Sequence, residues 1–257
     1  MASASHATGG AVLMLAAFCV AAAPAAPAPS TTATGHCRAS SGPVAPTVVE
    51  LFTSEGCSSC PPADRWLSTL KGRPDVLALA FHVTYWDRLG WPDRFASPDF
   101  TARQHALAQQ AGSRSVYTPQ VLANGQDWRG WPQLPVRAAA NAPALVTMSL
   151  RRDGDKVTVQ VDATAAAATA PARLAGYWAV LEDAHQSRVS AGENSGATLH
   201  HDHVVRLFTP VPPWPAALGQ RLQISVSRGL PQHPRRVVFV ATDAHTQRPL
   251  QALSLGC

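Results

Sequence analysis

The hydrophobic pattern of this chain changes character near residue 143. Upstream, residues 47–52 (Thr-Val-Val-Glu-Leu-Phe) form a short β-prone run that meets a sharp turn at Ser54, Glu55 and Gly56. Residues 63–70 place Trp66, Leu67 and Leu70 at helical spacing, and Gly72 with Pro74 ends that helix. Residues 76–83 are almost continuously apolar, as expected of a central strand covered on both faces. Two strands flanking one helix predict a βαβ unit with parallel pairing. A loop rich in Trp, Asp and Pro follows. A second helix is predicted over 101–111, with Ala102, Ala106, Leu107 and Ala111 on one side. Short strands are predicted at Val116-Tyr117 and at 121–123, on either side of Thr118-Pro119. Asn124-Gly125 is a strong hairpin turn. A further helix over 134–140 would close this segment.

Downstream the helical period disappears. Residues 145–150 and 156–161 alternate polar and apolar around Asp153-Gly154, and further short runs occupy 174–181, 199–208, 222–227 and 237–242. Turns rich in Gly and Pro separate them, which predicts a small antiparallel β-sandwich. The alanine run after Asp162 reads as a connection.

Composition adds compartment and excludes partners. The 257 residues are 46% hydrophobic and 14% charged, enough for a sizeable core. The net charge of +5 is scattered, with no basic stripe and no interleaved aromatics, so it argues against nucleic-acid binding. Residues 11–23 form an apolar run of signal-peptide length, too short to span a bilayer, followed by Ala-Pro-Ala sequences suited to cleavage. Residues 1–28 are therefore expected to be a signal peptide and 29–46 an extended leader. The mature chain would be periplasmic or secreted, with no membrane segment. Cleavage would also remove Cys19 and leave four of the five cysteines: Cys37, Cys57, Cys60 and Cys257. An even number fits an oxidising compartment.

Cys57-Ser58-Ser59-Cys60 falls after a strand and at a helix start. Thiol exchange needs that placement, because unpaired N–H groups at a helix N-terminus stabilise the attacking thiolate. Cys57 is expected to be the more exposed nucleophile and Cys60 the residue that resolves the mixed disulfide. Two bland alternatives stand beside this one. A structural zinc site wants a second close cysteine pair, which the chain lacks. A structural staple across three residues would constrain little chain entropy. Thr118-Pro119 lies where a thioredoxin fold places a cis-proline against its cysteine pair, which makes Pro119 a catalytic candidate and Thr118 a substrate contact. Trp86 and Trp91 are candidates for covering the same cleft. The expected fold class is an α/β thioredoxin-like domain (47–142) followed by an antiparallel β-sandwich-like domain (143–257).

Three stretches also carry a resemblance: residues 48–64, through Cys57-Ser58-Ser59-Cys60-Pro61-Pro62-Ala63-Asp64; residues 81–91; and residues 116–120. They are similar to a bacterial family of exported thioredoxin-like proteins that carry a domain of unknown function. Gly192-Glu193-Asn194-Ser195-Gly196 and Leu199-His200 extend the likeness over nearly all of the mature chain. The resemblance implies fold and location more than a reaction. Thr84 stands where many members carry Asp.

The function read from these features is thiol–disulfide exchange through Cys57 and Cys60 on protein or small-molecule thiols and disulfides, with a redox partner protein and no cofactor. Glu50 is either a buried proton acceptor for Cys60 or a strand-end carboxylate facing water, the second being favoured. His82 reads as a core histidine. The rival class is a non-enzymatic copper- or zinc-binding or delivery protein. It would use the same cysteines with His201 and His203, which share a face if their stretch is one strand, or with His185. A third reading is an idle interaction module. Cys37 and Cys257 have no near partner in sequence and are expected to form a structural disulfide.

Overall fold

The structure, a computed structural model, describes residues 1–3, 37–131, 133, 144–164 and 171–257. Residues 4–28 of the expected signal peptide, residues 29–36 of the leader and the helix at 134–140 fall outside the described residues.

The leader contributes β1 (Arg38–Ser40), which pairs antiparallel with β6 (Val146–Asp153). β2 (Thr47–Thr53) is buried at every position and runs parallel to β3 (Val76–His82), from Thr47 opposite Val76 to Thr53 opposite His82. α1 (Pro61–Ser68) crosses between them. It begins two residues before the predicted start: Cys60 is its N-cap, and prolines fill the first positions, where an N–H has no intrahelical partner anyway. α2 (Pro98–Gln110) also starts early, because the Ser97 side chain accepts a hydrogen bond from the Asp99 N–H at 3.2 Å and Pro98 opens the first turn. β4 (Gln120–Ala123) pairs antiparallel with β2 and turns into β5 (Gln126–Asp127) through Asn124 and Gly125. Both turn residues have positive φ, 48° and 77°. Val116 and Tyr117 are not a strand; the Tyr117 carbonyl is taken by the side chain of Gln104 instead.

The downstream strands are β7 (Lys156–Ala163), β8 (Arg173–Glu182), β9 (His185–Arg188), β10 (Thr198–His201), β11 (Val204–Pro215), β12 (Gln220–Ser225), β13 (Arg235–Asp243) and β14 (Pro249–Leu255). The run expected as one strand over 199–208 is two, broken at Asp202 and His203, where His203 has φ 59°.

Strand order shows how the two segments meet. Eight strands form one sheet in the order β14-β13-β8-β11-β3-β2-β4-β5, and four form a second, β1-β6-β7-β12. The segments expected as separate domains share the larger sheet. The joint is β11 on β3, with Val204 opposite Ala80 and the Ala80 N–H donating to the His203 carbonyl at 2.8 Å.

Because side chains alternate along a strand, each face of the large sheet has its own cover. On one face, Val49, Leu51, Ala78, Ala80 and Val121 pack with Ala63 and Leu67 of α1. Further along, Trp178, Val180 and Phe239 pack on Val146, Met148, Leu150, Val157 and Val159 of the smaller sheet. The opposite face buries Val48, Phe52, Leu79, Phe81 and Tyr177 with Phe100 and Leu107 of α2. Cys37 and Cys257 are joined by a disulfide with their Cα atoms 6.1 Å apart, which fastens the start of β1 to the residue two beyond β14.

Candidate functional site around Cys57 and Cys60

β2 delivers the chain to a tight turn that orients the cysteines. The Ser54 carbonyl accepts the Cys57 N–H at 3.2 Å, and Ser54 Oγ accepts the Gly56 N–H at 3.1 Å. Gly56 allows a close approach: a Cβ there would lie 3.0 Å from Trp86 Cβ and would press the two apart by a few tenths of an ångström. Cys57 and Cys60 form a disulfide across the turn that leads into α1, with Cα atoms 5.4 Å apart. The Cys60 carbonyl accepts the first helical N–H groups, from Ala63 and Asp64.

The expectation of an exposed Cys57 is corrected here. Both cysteines are 0% exposed, and only Ser58 and Ser59 between them face solvent. Residues from far along the chain close on the backbone of this turn. The Asn194 side-chain amide donates to the carbonyls of Glu55 (2.8 Å) and Cys57 (3.0 Å), and Glu193 Oε2 accepts the Ser58 N–H at 3.0 Å.

The structure brings the other predicted cleft residues to this turn. The Thr118–Pro119 bond is cis and leads directly into β4. Trp86 connects it to the cysteines, with its Cβ close to Gly56 and its indole N–H donating to Thr118 Oγ1 at 2.7 Å. Trp91 donates to Glu55 Oε2 at 2.8 Å. Both tryptophans are half-buried.

Beneath the turn, on the α1 face of the sheet, lies a group of ionisable side chains that sequence reasoning missed. His82 Nδ1 is 2.7 Å from Asp93 Oδ2, and both side chains are 0% exposed. Asp93 also accepts the N–H groups of Glu55 and Phe95 at 2.9 Å. His201 Nε2 is 3.2 Å from Glu55 Oε1, and the two imidazoles meet edge to face with centroids 5.0 Å apart. Asp64 accepts a hydrogen bond from Thr53 Oγ1 at 3.1 Å. Among the described residues, His82 Nε2 and His201 Nδ1 have no hydrogen-bond partner although they are buried.

Burial is the largest influence on each acid, and its outcome differs among them. It prevails at Asp64, whose pKa rises even though His201, His82 and Thr53 all favour the carboxylate. At Asp93 burial is overcome by the charge and hydrogen bond of His82 and by two backbone N–H groups, and the pKa falls to about 2. At Glu55 burial is outweighed mainly by the hydrogen bond from His201, and the pKa is lowered. Burial disfavours the His82 cation, but Asp93, Asp64 and Glu55 together raise its pKa. Asp64 with a raised pKa, Glu55 and Asp93 with lowered ones and the His82 imidazole paired to Asp93 therefore form one buried group under the cysteine turn. The motif spelled Asp64; nothing local marked Glu55 and Asp93 as its neighbours.

Two further readings are corrected. Glu50 does not face water: it is 1% exposed. It does not underlie Cys60 either, because it points to the α2 face, where Arg103 and the Tyr177 hydroxyl donate to its Oε1. The histidines of the metal reading diverge. His201 turns to Glu55, while His203 accepts a hydrogen bond from Arg236 at 3.0 Å and His185 lies against Glu182. Among the described residues no group of three His, Cys, Asp or Glu side chains is arranged to hold a metal ion.

This geometry coincides with one family. A family model described as a protein of unknown function, DUF1223, matches residues 48–241, and the chain belongs to that family. Among solved structures, protein AGR_C_4864 from Agrobacterium tumefaciens is 27% identical with a TM-score of 0.63, covering 82% of this chain and 94% of that one. HBP35 of Porphyromonas gingivalis is 15% identical with a TM-score of 0.56, covering 83% and 76%, a likeness of fold alone. A comparison with curated proteins finds no match.

Proposed function

We propose that this protein is an exported thiol–disulfide exchange protein with a thioredoxin-like α/β portion and a β-sandwich-like portion, working through Cys57 and Cys60. The observation that carries the reading is the Cys57–Cys60 disulfide at the N-terminus of α1, linked through Trp86 to the cis Thr118–Pro119 bond. The β2-α1-β3 unit, α2 and the β4–β5 hairpin support the thioredoxin-like assignment. The two disulfides favour an oxidising compartment such as the periplasm.

In the reduced protein, the Cys57 thiolate attacks one sulfur of a substrate disulfide and expels the other as a thiolate, giving a mixed disulfide. The Cys60 thiolate then attacks Cys57 Sγ, releases the second substrate thiolate and restores the intramolecular disulfide. Two electrons pass to the substrate, and its thiolates take up protons. The reverse sequence oxidises a substrate dithiol. A protein or small-molecule thiol partner resets the pair. The positive end of the α1 dipole favours the thiolate; it acts through the field of the helix, since Pro61 and Pro62 carry no N–H and the Ala63 and Asp64 N–H groups are taken by the Cys60 carbonyl.

The test is capture. In Cys60→Ser the second step is blocked, so a mixed disulfide with Cys57 should accumulate when a protein disulfide is added. Absence of that adduct from the reduced, folded variant would defeat the reading.

A further inference from the structure

A thiolate shut away from water needs a hydrogen-bond donor from the protein, and most donors in the cysteine turn are already engaged. Cys57 is 0% exposed, and burial without a donor pushes a cysteine pKa up. The Cys57 N–H donates to the Ser54 carbonyl and the Cys60 N–H to the Cys57 carbonyl at 3.1 Å. The Ala63 and Asp64 N–H groups donate to the Cys60 carbonyl, and Pro61 and Pro62 have no N–H. The Ser58 N–H donates to Glu193 Oε2 at 3.0 Å.

Ser59 is the exception. Its Oγ lies 3.4 Å from Cys57 Sγ, and because a disulfide sulfur carries no proton, the hydroxyl is the donor in that contact. Among the described residues no other group donates to Cys57 Sγ. Glu193 acts in the opposite sense. Its exposed carboxylate sits on the amide that follows the nucleophile and adds negative charge where the thiolate forms.

We propose that Ser59 is a further catalytic residue, its hydroxyl holding the Cys57 thiolate by a hydrogen bond, and that Glu193, a positioning residue acting through the Ser58 amide, opposes it. The hydroxyl keeps its proton throughout the exchange. This rests on the exchange reading and deepens it by setting the poise of the pair. Stabilising the Cys57 thiolate favours the dithiol over the disulfide, so Ser59 makes the couple more oxidising and Glu193 makes it more reducing.

The experiment measures the pH profile of Cys57 alkylation in the reduced full chain, and the reduced-to-oxidised ratio of the pair in one glutathione buffer. The proteins are wild type, Ser59→Ala, Ser59→Thr and Glu193→Gln. Ser59→Ala should raise the alkylation midpoint by about one pH unit, the loss of one hydrogen bond to a charged sulfur, and lower the reduced-to-oxidised ratio by up to about tenfold above that midpoint. Ser59→Thr keeps a hydroxyl and should stay within about threefold of wild type in both readouts. Glu193→Gln should lower the midpoint, with about threefold more thiolate at low ionic strength and a gain that fades near 1 M salt, because the carboxylate is exposed. A midpoint shared by wild type and Ser59→Ala, a Ser59→Thr midpoint as high as that of Ser59→Ala, or a rise in Glu193→Gln overturns the proposal. Alkylation reads the thiolate whether or not the pair exchanges with a substrate, so failure here and absence of the Cys60→Ser adduct are separate outcomes.

Discussion

Trp86 and Thr118 are 32 residues apart, yet the indole N–H of the first donates to the hydroxyl of the second at 2.7 Å. That bond fixes the distance between the cysteine turn, which Trp86 backs at Gly56, and the cis-proline segment entering β4. Trp86→Phe and Thr118→Val should each lower stability by about 1 kcal/mol, the usual net value of a partly buried hydrogen bond. The double variant should cost little more than either alone, since both remove one interaction. Denaturant midpoints of the four proteins check this; fully additive losses would show that the bond does not couple the two segments.

The His82–Asp93 pair governs the pH dependence. Asp93 is lowered from 3.8 to about 2, so its contribution is present above pH 3.8 and lost as the pH falls toward 2. His82 is raised above 6.5, so its contribution is complete below 6.5 and lost as the pH rises through its folded value. Stability should peak between those limits. Asp93→Asn leaves the imidazole without its counter-charge and should cost about 3 kcal/mol near pH 6, the usual penalty for breaking a buried pair. Its acid limb should also flatten. Thermal melts across pH measure both, and an unchanged acid limb would contradict the assignment.

Asp64 has the opposite sign. Its folded pKa is raised, so the native state holds the proton more tightly and ionisation costs stability as pH rises. Asp64→Asn keeps an acceptor for Thr53 and should therefore raise Tm at pH 7, by about 3 °C for a protein of this size. The gain should vanish as pH falls to 3.8, where the unfolded carboxyl is also taking up its proton. A lower Tm at neutral pH would mean that the carboxylate is favoured by the histidines after all.

The parts legible in the sequence are those set by neighbours in the chain. The apolar runs of β2 and β3, the stop at Gly72 and Pro74, and the Asn124-Gly125 turn act within a few residues, as does the cysteine spacing. Helix starts were displaced because Cys60 and Ser97 cap ahead of the prolines. Long-range partners were not legible. Glu50 reads as a strand-end acid until Tyr177, 127 residues later, donates to it across the sheet. β9, His-Gln-Ser-Arg, has no apolar pattern, since it pairs only with β10. Asn194, which donates to the Cys57 carbonyl, lies 137 residues downstream, so no local signal marked the packing around the nucleophile.

The central claim is that Cys57 and Cys60 are a working redox couple. The most direct measurement is equilibration of the full chain in glutathione buffers of graded ratio, with and without copper, followed by acid trapping and mass analysis of the Cys57–Cys60 peptide. The account predicts a single two-electron transition of that pair within the range that glutathione buffers span, unchanged by copper, while Cys37–Cys257 stays oxidised throughout. A Cys57–Cys60 bond that glutathione never opens, or a transition that moves with copper, would contradict it.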